Sequence, residues 1–180
     1  MTVNMTVKNK CDEGFLYKKE RVVMYTFNVT GRGKVSVENI VFDYNGTIAE
    51  DGKLMEDVRI LLPLLAQRAK IYIVSADTYG TVKEECKDLP VEVKTFAVEH
   101  AAECKEAIAI DLQKAGGVAC LGNGINDIKM CKAADVSIAV VNHETMSAEL
   151  LRHVDIFAPS ARAGVELFLR RGRLESTLRK

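Results

Sequence analysis

From residue 39 onward the chain alternates short apolar runs with longer helix-like stretches. Apolar runs predict strands at 39–43, 70–75 ("KIYIVS"), 91–96 ("VEVKTF"), 117–122 ("GVACLG"), 136–141 ("VSIAVV") and 154–158 ("VDIFA"). Between them the pattern predicts helices near 55–68, 78–88, 101–115, 125–133, 144–151 and 161–171. Strand–helix alternation with Val/Ile-rich strands argues an α/β fold: a mostly parallel sheet with helices on both faces, a Rossmann-like three-layer sandwich. Upstream, Val22 to Val29 and Val35 to Val37 flank a "TGRGK" turn and predict a β-hairpin, with Gly31 and Gly33 supplying the turn. Residues 1–20 are polar and aperiodic and are expected to form a loose extension ahead of a single domain over 21–180. No repeat, low-complexity tract or Pro-rich linker divides the chain.

Composition narrows this picture modestly. The 180 residues suit one domain with a full core. Apolar content of 48% and charged content of 28% belong to an ordinary globular protein and exclude extensive disorder. Net charge is zero, so neither nucleic acid nor an anionic membrane is implied as a partner. The ends are basic: residues 1–35 hold seven Lys/Arg against three Asp/Glu, and 161–180 hold six against two. Solvated termini, including the tail 170–180, are the expected reading of that pattern, with self-association or an anionic partner as the alternative. Five dispersed cysteines without a C-x-x-C pair read as reduced thiols. No apolar run reaches the ~20 residues of a membrane span, and a cytoplasmic protein is expected. The three histidines lack metal-ligand spacing, and no P-loop is present.

Candidate chemistry follows from the fold class. In parallel sheets ligands bind at the carboxyl ends of strands, near the topological switch point. The polar residues directly after strands are Asp43, then Ser75 to Thr78, then "GNGIND" from Gly122 to Asp127, with Lys105 at the start of a helix. A phosphoryl group brings about two negative charges, which a carboxylate nucleophile tolerates only beside a cation, donors and preferably a metal. Asp43 and Asp127 offer hard oxygens suited to Mg²⁺. Lys105, Ser75 and the amides of the Asn45–Thr47 turn can meet phosphate oxygens, and Gly46 and Gly124 allow close backbone approach. Taken singly, each residue has an ordinary structural role. Ser75 or Thr78 can cap the following helix, Thr81 with Glu84 fits a capping box, and Lys105 can be a solvated side chain.

The ordered set "VFDYNGT", "IVSAD", "AECKEAI" and "GNGIND" resembles the four motifs of the haloacid dehalogenase-like (HAD) superfamily, and within it the soluble P-type-ATPase-like phosphatases. The resemblance spans about residues 22–175. It implies a capless HAD-like fold and a Mg²⁺-dependent hydrolase or phosphotransferase. Asp43 would form an aspartyl-phosphate, Ser75 and Lys105 would hold the phosphate, and Thr47 would support the nucleophile loop. Gly46, Ala76 and Asn126 would contact substrate. Asp43, Asn45 (through its backbone carbonyl), Asn123 and Asp127 would hold the metal. Lys94 and Lys114 compete with Lys105 for the lysine role. The chain departs from the pattern twice: Asn45 stands where the family's phosphatases carry their general acid, and Asn123 stands at a metal-ligating acid. General acid–base assistance is worth ~10²–10⁴ in rate, so turnover is expected to be slow or selective for good leaving groups.

About thirty residues separate Asp43 from Ser75, and a similar number separates Ser75 from Lys105, leaving room for a helix and a short flap ("AEDGK", 49–53) but no cap domain. An open site suits a phosphorylated small molecule, a large phosphorylated partner, or a homo-oligomer that covers the site. A response-regulator receiver domain is disfavoured, because the required acidic pair is absent from the strand before Asp43. The stronger rival is a HAD fold kept as a binding or regulatory module, with the two Asn residues marking lost catalysis.

Overall fold

The computed structural model describes residues 24–180. The expected loose extension over 1–20 and the first residues of the hairpin lie outside this range. β1 (Tyr25–Val29) and β2 (Gly33–Val37) form an antiparallel hairpin, and Gly31 and Gly33 turn it at φ of +81° and +89°. The central sheet comprises β3 (Asn39–Asp43), β6 (Lys70–Ser75), β7 (Glu92–Thr95), β8 (Val118–Gly122), β9 (Val136–Val140) and β10 (Ile156–Ala158). Its order is β10-β9-β8-β3-β6-β7, and every pairing is parallel. The chain leaves β3 toward one edge through β6 and β7, then returns to its other side through β8, β9 and β10. The switch point therefore falls at the carboxyl ends of β3 and β8.

Both faces of the sheet are packed, which explains why its strands read as apolar runs rather than as alternation. Ile40, Phe42, Ile71, Ile73, Ala119 and Leu121 face one core layer, and Val41, Tyr72, Val74, Val118 and Cys120 face the other. The first layer is closed by α1 (Glu56–Arg59), α2 (Leu62–Leu65), α3 (Val82–Cys86), α6 (Ala161–Leu169), α7 (Arg171–Leu178) and the β1–β2 hairpin. The second is closed by α4 (Ala101–Gln113) and α5 (Ile128–Ala133). Between Asp43 and β6 sit α1, α2 and a two-stranded flap, β4 (Ala49–Glu50) with β5 (Lys53–Leu54), matching the expected flap at 49–53.

Several elements differ from expectation, each for a local reason. The segment 55–68 is two single-turn helices, with Pro63 in the first turn of α2, where a missing N–H costs nothing. The helix expected at 78–88 covers Val82–Cys86. Asp77, at φ +49°, accepts from the N–H groups of Thr81 and Val82, so neither a Ser75 nor a Thr78 cap forms, and Thr81 makes no side-chain cap bond. The stretch 144–151 is replaced by a 3-10 helix over Ala148–His153. The chain breaks at Arg170 and continues as α7, whose Leu174 and Leu178 are buried. The tail is thus half structural rather than a solvated end, and it packs beside β1.

Phe168 of α6 packs against Tyr25 and Phe27 of the hairpin, with ring centroids 6.2 and 6.4 Å away. This cluster fastens the hairpin to the domain. Phe168→Ala is expected to lower stability by about 3–5 kcal/mol, as large aromatic truncations do. Urea unfolding followed by circular dichroism measures it, and a loss below ~1 kcal/mol would show that the cluster does not anchor the hairpin.

Candidate functional site

Asp43 ends β3, whose five residues are all buried, so its carboxylate emerges at the switch point with limited solvent access. Lys105 reaches it from α4. The buried stripe of that helix is Ala101, Lys105 and Ala109, at spacings of four; two alanines let the helix approach closely while the lysine stem runs inward. Lys105 is 1% exposed, and its Nζ donates to Asp43 Oδ1 at 2.6 Å and to Asp127 Oδ1 at 2.7 Å. Asp127 is fully buried in the turn after β8, and its Oδ2 accepts from the N–H groups of Asn123 (3.0 Å) and Gly124 (2.9 Å). Lys94 lies over the Tyr72 ring and pairs with Glu92, while Lys114 pairs with Asp111 at the surface. Lys105 is accordingly the lysine on Asp43.

The loop after Asp43 is held from several sides. The Thr47 hydroxyl lies 2.9 Å from Asp43 Oδ2, to which it donates, and 3.2 Å from Asn123 Oδ1. Asn142, two residues after β9, donates to the carbonyls of Gly46 (3.1 Å) and Thr47 (2.6 Å) and accepts from the Ala161 N–H (3.2 Å). The sequence reading missed Asn142, although the strand-end rule that selects Asp43 and Asn123 selects it too. Gly46 has φ +74°, and a Cβ there would meet the Asn123 amide at 2.2 Å. Only glycine fits that backbone and that contact.

Asp43, Gly46, Thr47, Lys105, Asn123 and Asp127 are therefore brought together. Ser75 ends β6, where Val74 pairs with Asp43, and its hydroxyl accepts from the Asp77 N–H at 2.9 Å. Ala76 follows it, half-buried. Asn126 is exposed at the rim. Asn45 is half-buried, and its side-chain Oδ1 is buried with no hydrogen-bond partner among the described residues. A buried oxygen left in that state is an acceptor that calls for a cation or a donor.

Electrostatics follow from the burial. Desolvation pushes the Asp127 carboxyl up to about 6, the neighbouring Asp43 charge adds to the rise, and Lys105 opposes it. Desolvation works to lower the Lys105 ammonium, but Asp43 and Asp127 outweigh it and hold its pKa above the ordinary lysine value. The lysine is thus a fixed cation, and the Asp127 carboxyl sits above the ordinary carboxylate range. Among the described residues no three His, Cys, Asp or Glu side chains converge as a metal site, so a cation here would also use amide or carbonyl oxygens.

No family model matches the chain. An uncharacterized protein of Methanocaldococcus jannaschii is 59% identical over 39 residues, which are 22% of this chain and 89% of that protein. Among solved structures, the cobalt-bound deoxy-D-mannose-octulosonate 8-phosphate phosphatase of Haemophilus influenzae superposes with a TM-score of 0.63 at 14% identity, over 80% of this chain and 94% of that one. The 3-deoxy-D-manno-octulosonate 8-phosphate phosphatase of Moraxella catarrhalis, solved with magnesium, phosphate and KDO, gives 0.62 at 13%, over 78% and 90%. A zinc-transporting PIB-type ATPase gives 0.55 at 23%, over 69% of this chain and 20% of that one. These likenesses, each under 25% identical, establish the fold alone: an α/β fold shared with those phosphatases.

Replacing Lys105 by Met removes the ammonium and keeps the stem. Two buried carboxylates are then left facing each other, and the loss is expected to be about 3–5 kcal/mol at pH 7. The uncompensated acids would hold protons more tightly folded than unfolded, so stability of the variant should rise as pH falls. Denaturant unfolding at pH 7 and pH 5 checks both; equal losses at the two pH values would contradict the pairing.

Proposed function

We propose that this chain, which belongs to the family of the M. jannaschii protein by its sequence, is a member of the haloacid dehalogenase-like superfamily and a Mg²⁺-dependent phosphoryl hydrolase or phosphotransferase working through an aspartyl-phosphate on Asp43. The observation that carries this reading is the buried Lys105 ammonium clamped between Asp43 and Asp127 at the switch point. A buried carboxylate with one oxygen on an ammonium and the other on a hydroxyl is held in a fixed orientation, as nucleophilic attack requires.

The donor set fits a hard dication: two carboxylates, the Asn123 amide, and a loop whose Asn45 side-chain oxygen is buried without a donor. Asp43, the Asn45 carbonyl, Asn123 and Asp127 would hold Mg²⁺, which would neutralise charge on the phosphoryl oxygens when bound. The chain's own residues divide the remaining work. Asp43 attacks phosphorus and the substrate's leaving oxygen departs with the bonding pair. Thr47 holds the second oxygen of Asp43 and keeps the attacking one in line. Lys105 and Ser75 balance and orient the phosphate, with Gly46 and Ala76 supplying backbone approach. Asn126, which is exposed, would touch only an extended substrate. Asn45 cannot donate a proton to the leaving oxygen or accept one from water. Departure therefore depends on the leaving group, which favours aryl phosphates, acyl phosphates and anhydrides over alkyl monoesters.

The two amides at 45 and 123 also support a second reading, a HAD fold kept for binding phosphorylated partners without turnover. Steady-state assays with Mg²⁺ separate the readings: measurable hydrolysis of an aryl phosphate, lost in Asp43→Asn, supports the enzyme. Equal kcat/KM for aryl and alkyl phosphates would refute the selectivity. Asn45→Asp is expected to raise alkyl-phosphate turnover by about 10²–10⁴, the usual worth of a general acid.

The pH dependence of metal binding supplies a separate check. Asp127 titrates at about 6, so below that value Mg²⁺ must displace its proton. Affinity should be flat above about pH 7 and fall as pH drops through 6, measured by calorimetry without substrate. A pH-independent affinity between 5 and 7 would exclude Asp127 from the cation's surroundings.

A further inference from the structure

Resting on that reading of the site, we infer that Glu144 supplies the anionic charge that Asn123 withholds from the cation at Asp43. The charge count states the need. Asp43, Asp127 and Lys105 together leave one net negative charge, and both oxygens of Asp127 are already engaged by Lys105 and two backbone N–H groups. Asn123 adds an oxygen but no charge.

Residues 142–147 bring a carboxylate to this place. Ser147 N–H donates to the Asn123 carbonyl at 2.8 Å, and the Asn123 side-chain amide donates to the Thr145 carbonyl at 3.4 Å. Asn142 holds the Gly46 and Thr47 carbonyls from the same segment. Glu144, between them, folds back over the nucleophile loop: a Cβ on Gly46 would meet Asn123 Nδ2 at 2.2 Å and Glu144 Oε2 at 3.3 Å. The carboxylate and the Asn123 amide thus crowd the same side of Gly46. Its other oxygen, Oε1, accepts from the Asp51 N–H at the flap tip at 2.7 Å, which fixes the side chain although it is exposed. Left-handed backbone flanks this link, at Asp51 itself with φ +49° and at Thr145, next to Glu144, with φ +72°. For a β-branched threonine that conformation is unfavourable and persists where surrounding contacts impose it. Oε2 has no protein donor among the described residues and is free to act through water on a dication that keeps several of its own waters.

Glu144 is a positioning residue in this scheme, acting on the cation through solvent. Glu144→Gln removes the charge while its amide oxygen can still accept from Asp51, so the flap stays anchored. Calorimetric titration with MgCl₂ alone, at low and high NaCl, compares wild type, Glu144→Gln, Asn123→Asp, the double variant and Asp43→Asn. Glu144→Gln should bind Mg²⁺ about tenfold more weakly, as loss of outer-shell partners does. Asn123→Asp should recover that affinity in the double variant, and the deficit should shrink at high salt. An unchanged dissociation constant in Glu144→Gln, or a deficit that Asn123→Asp does not recover, would overturn the inference while binding still vanishes in Asp43→Asn. Mg²⁺ binding that survives Asp43→Asn would instead overturn the proposed cation site itself.

Discussion

A buried ammonium shared by two buried carboxylates organises this molecule. Removing such ions from water costs several kcal/mol each, and the attraction among them offsets that cost only with short, well-directed contacts. Here the contacts are 2.6 and 2.7 Å, and the remaining carboxylate oxygens are taken up by a hydroxyl and two backbone N–H groups. The geometry demands that β3 and β8 lie side by side, that the turn after β8 present two amides to Asp127, and that α4 approach through its alanines. Under this constraint residues that look structural, such as Ala101 and Ala109, determine where the lysine reaches.

Two amides shift the balance of that centre. With Asn at 45 and 123, the loops around Asp43 carry less negative charge than four acids would place there. The flap β4–β5 is pinned at Asp51 by Glu144 and at Gly52 by Thr81.

Much of this arrangement is legible in the sequence because strand ends in parallel sheets point their polar residues toward one place. Asp43, Ser75 and the Gly122–Asp127 turn are all found by that rule, and the six central strands lie within a residue or two of their apolar runs. Spacing does not separate Lys105 from Lys94 and Lys114, since what distinguishes it is burial between two acids, a property of packed partners. Helices fall short of their expected extents where one side chain outcompetes propensity: Asp77 captures two N–H groups and delays α3, and the single-turn α1 and α2 are too short to show a period. Glu144 carries no motif at all. Its place depends on a left-handed threonine next to it, which sequence periodicity does not encode.

The contacts that build the centre join distant parts of the chain. Asp43 and Lys105 are 62 residues apart, Thr47 and Asn123 are 76 apart, and Gly46 and Asn142 are 96 apart. Closing loops of that length must precede any reward from the contacts themselves, so such pairings form slowly and late. A nascent chain that has made β3 and β6 carries Asp43 with neither Lys105 nor the turn after β8. The convergence of these side chains therefore arrives with the docking of β8 and β9, after most of the polypeptide has been synthesised.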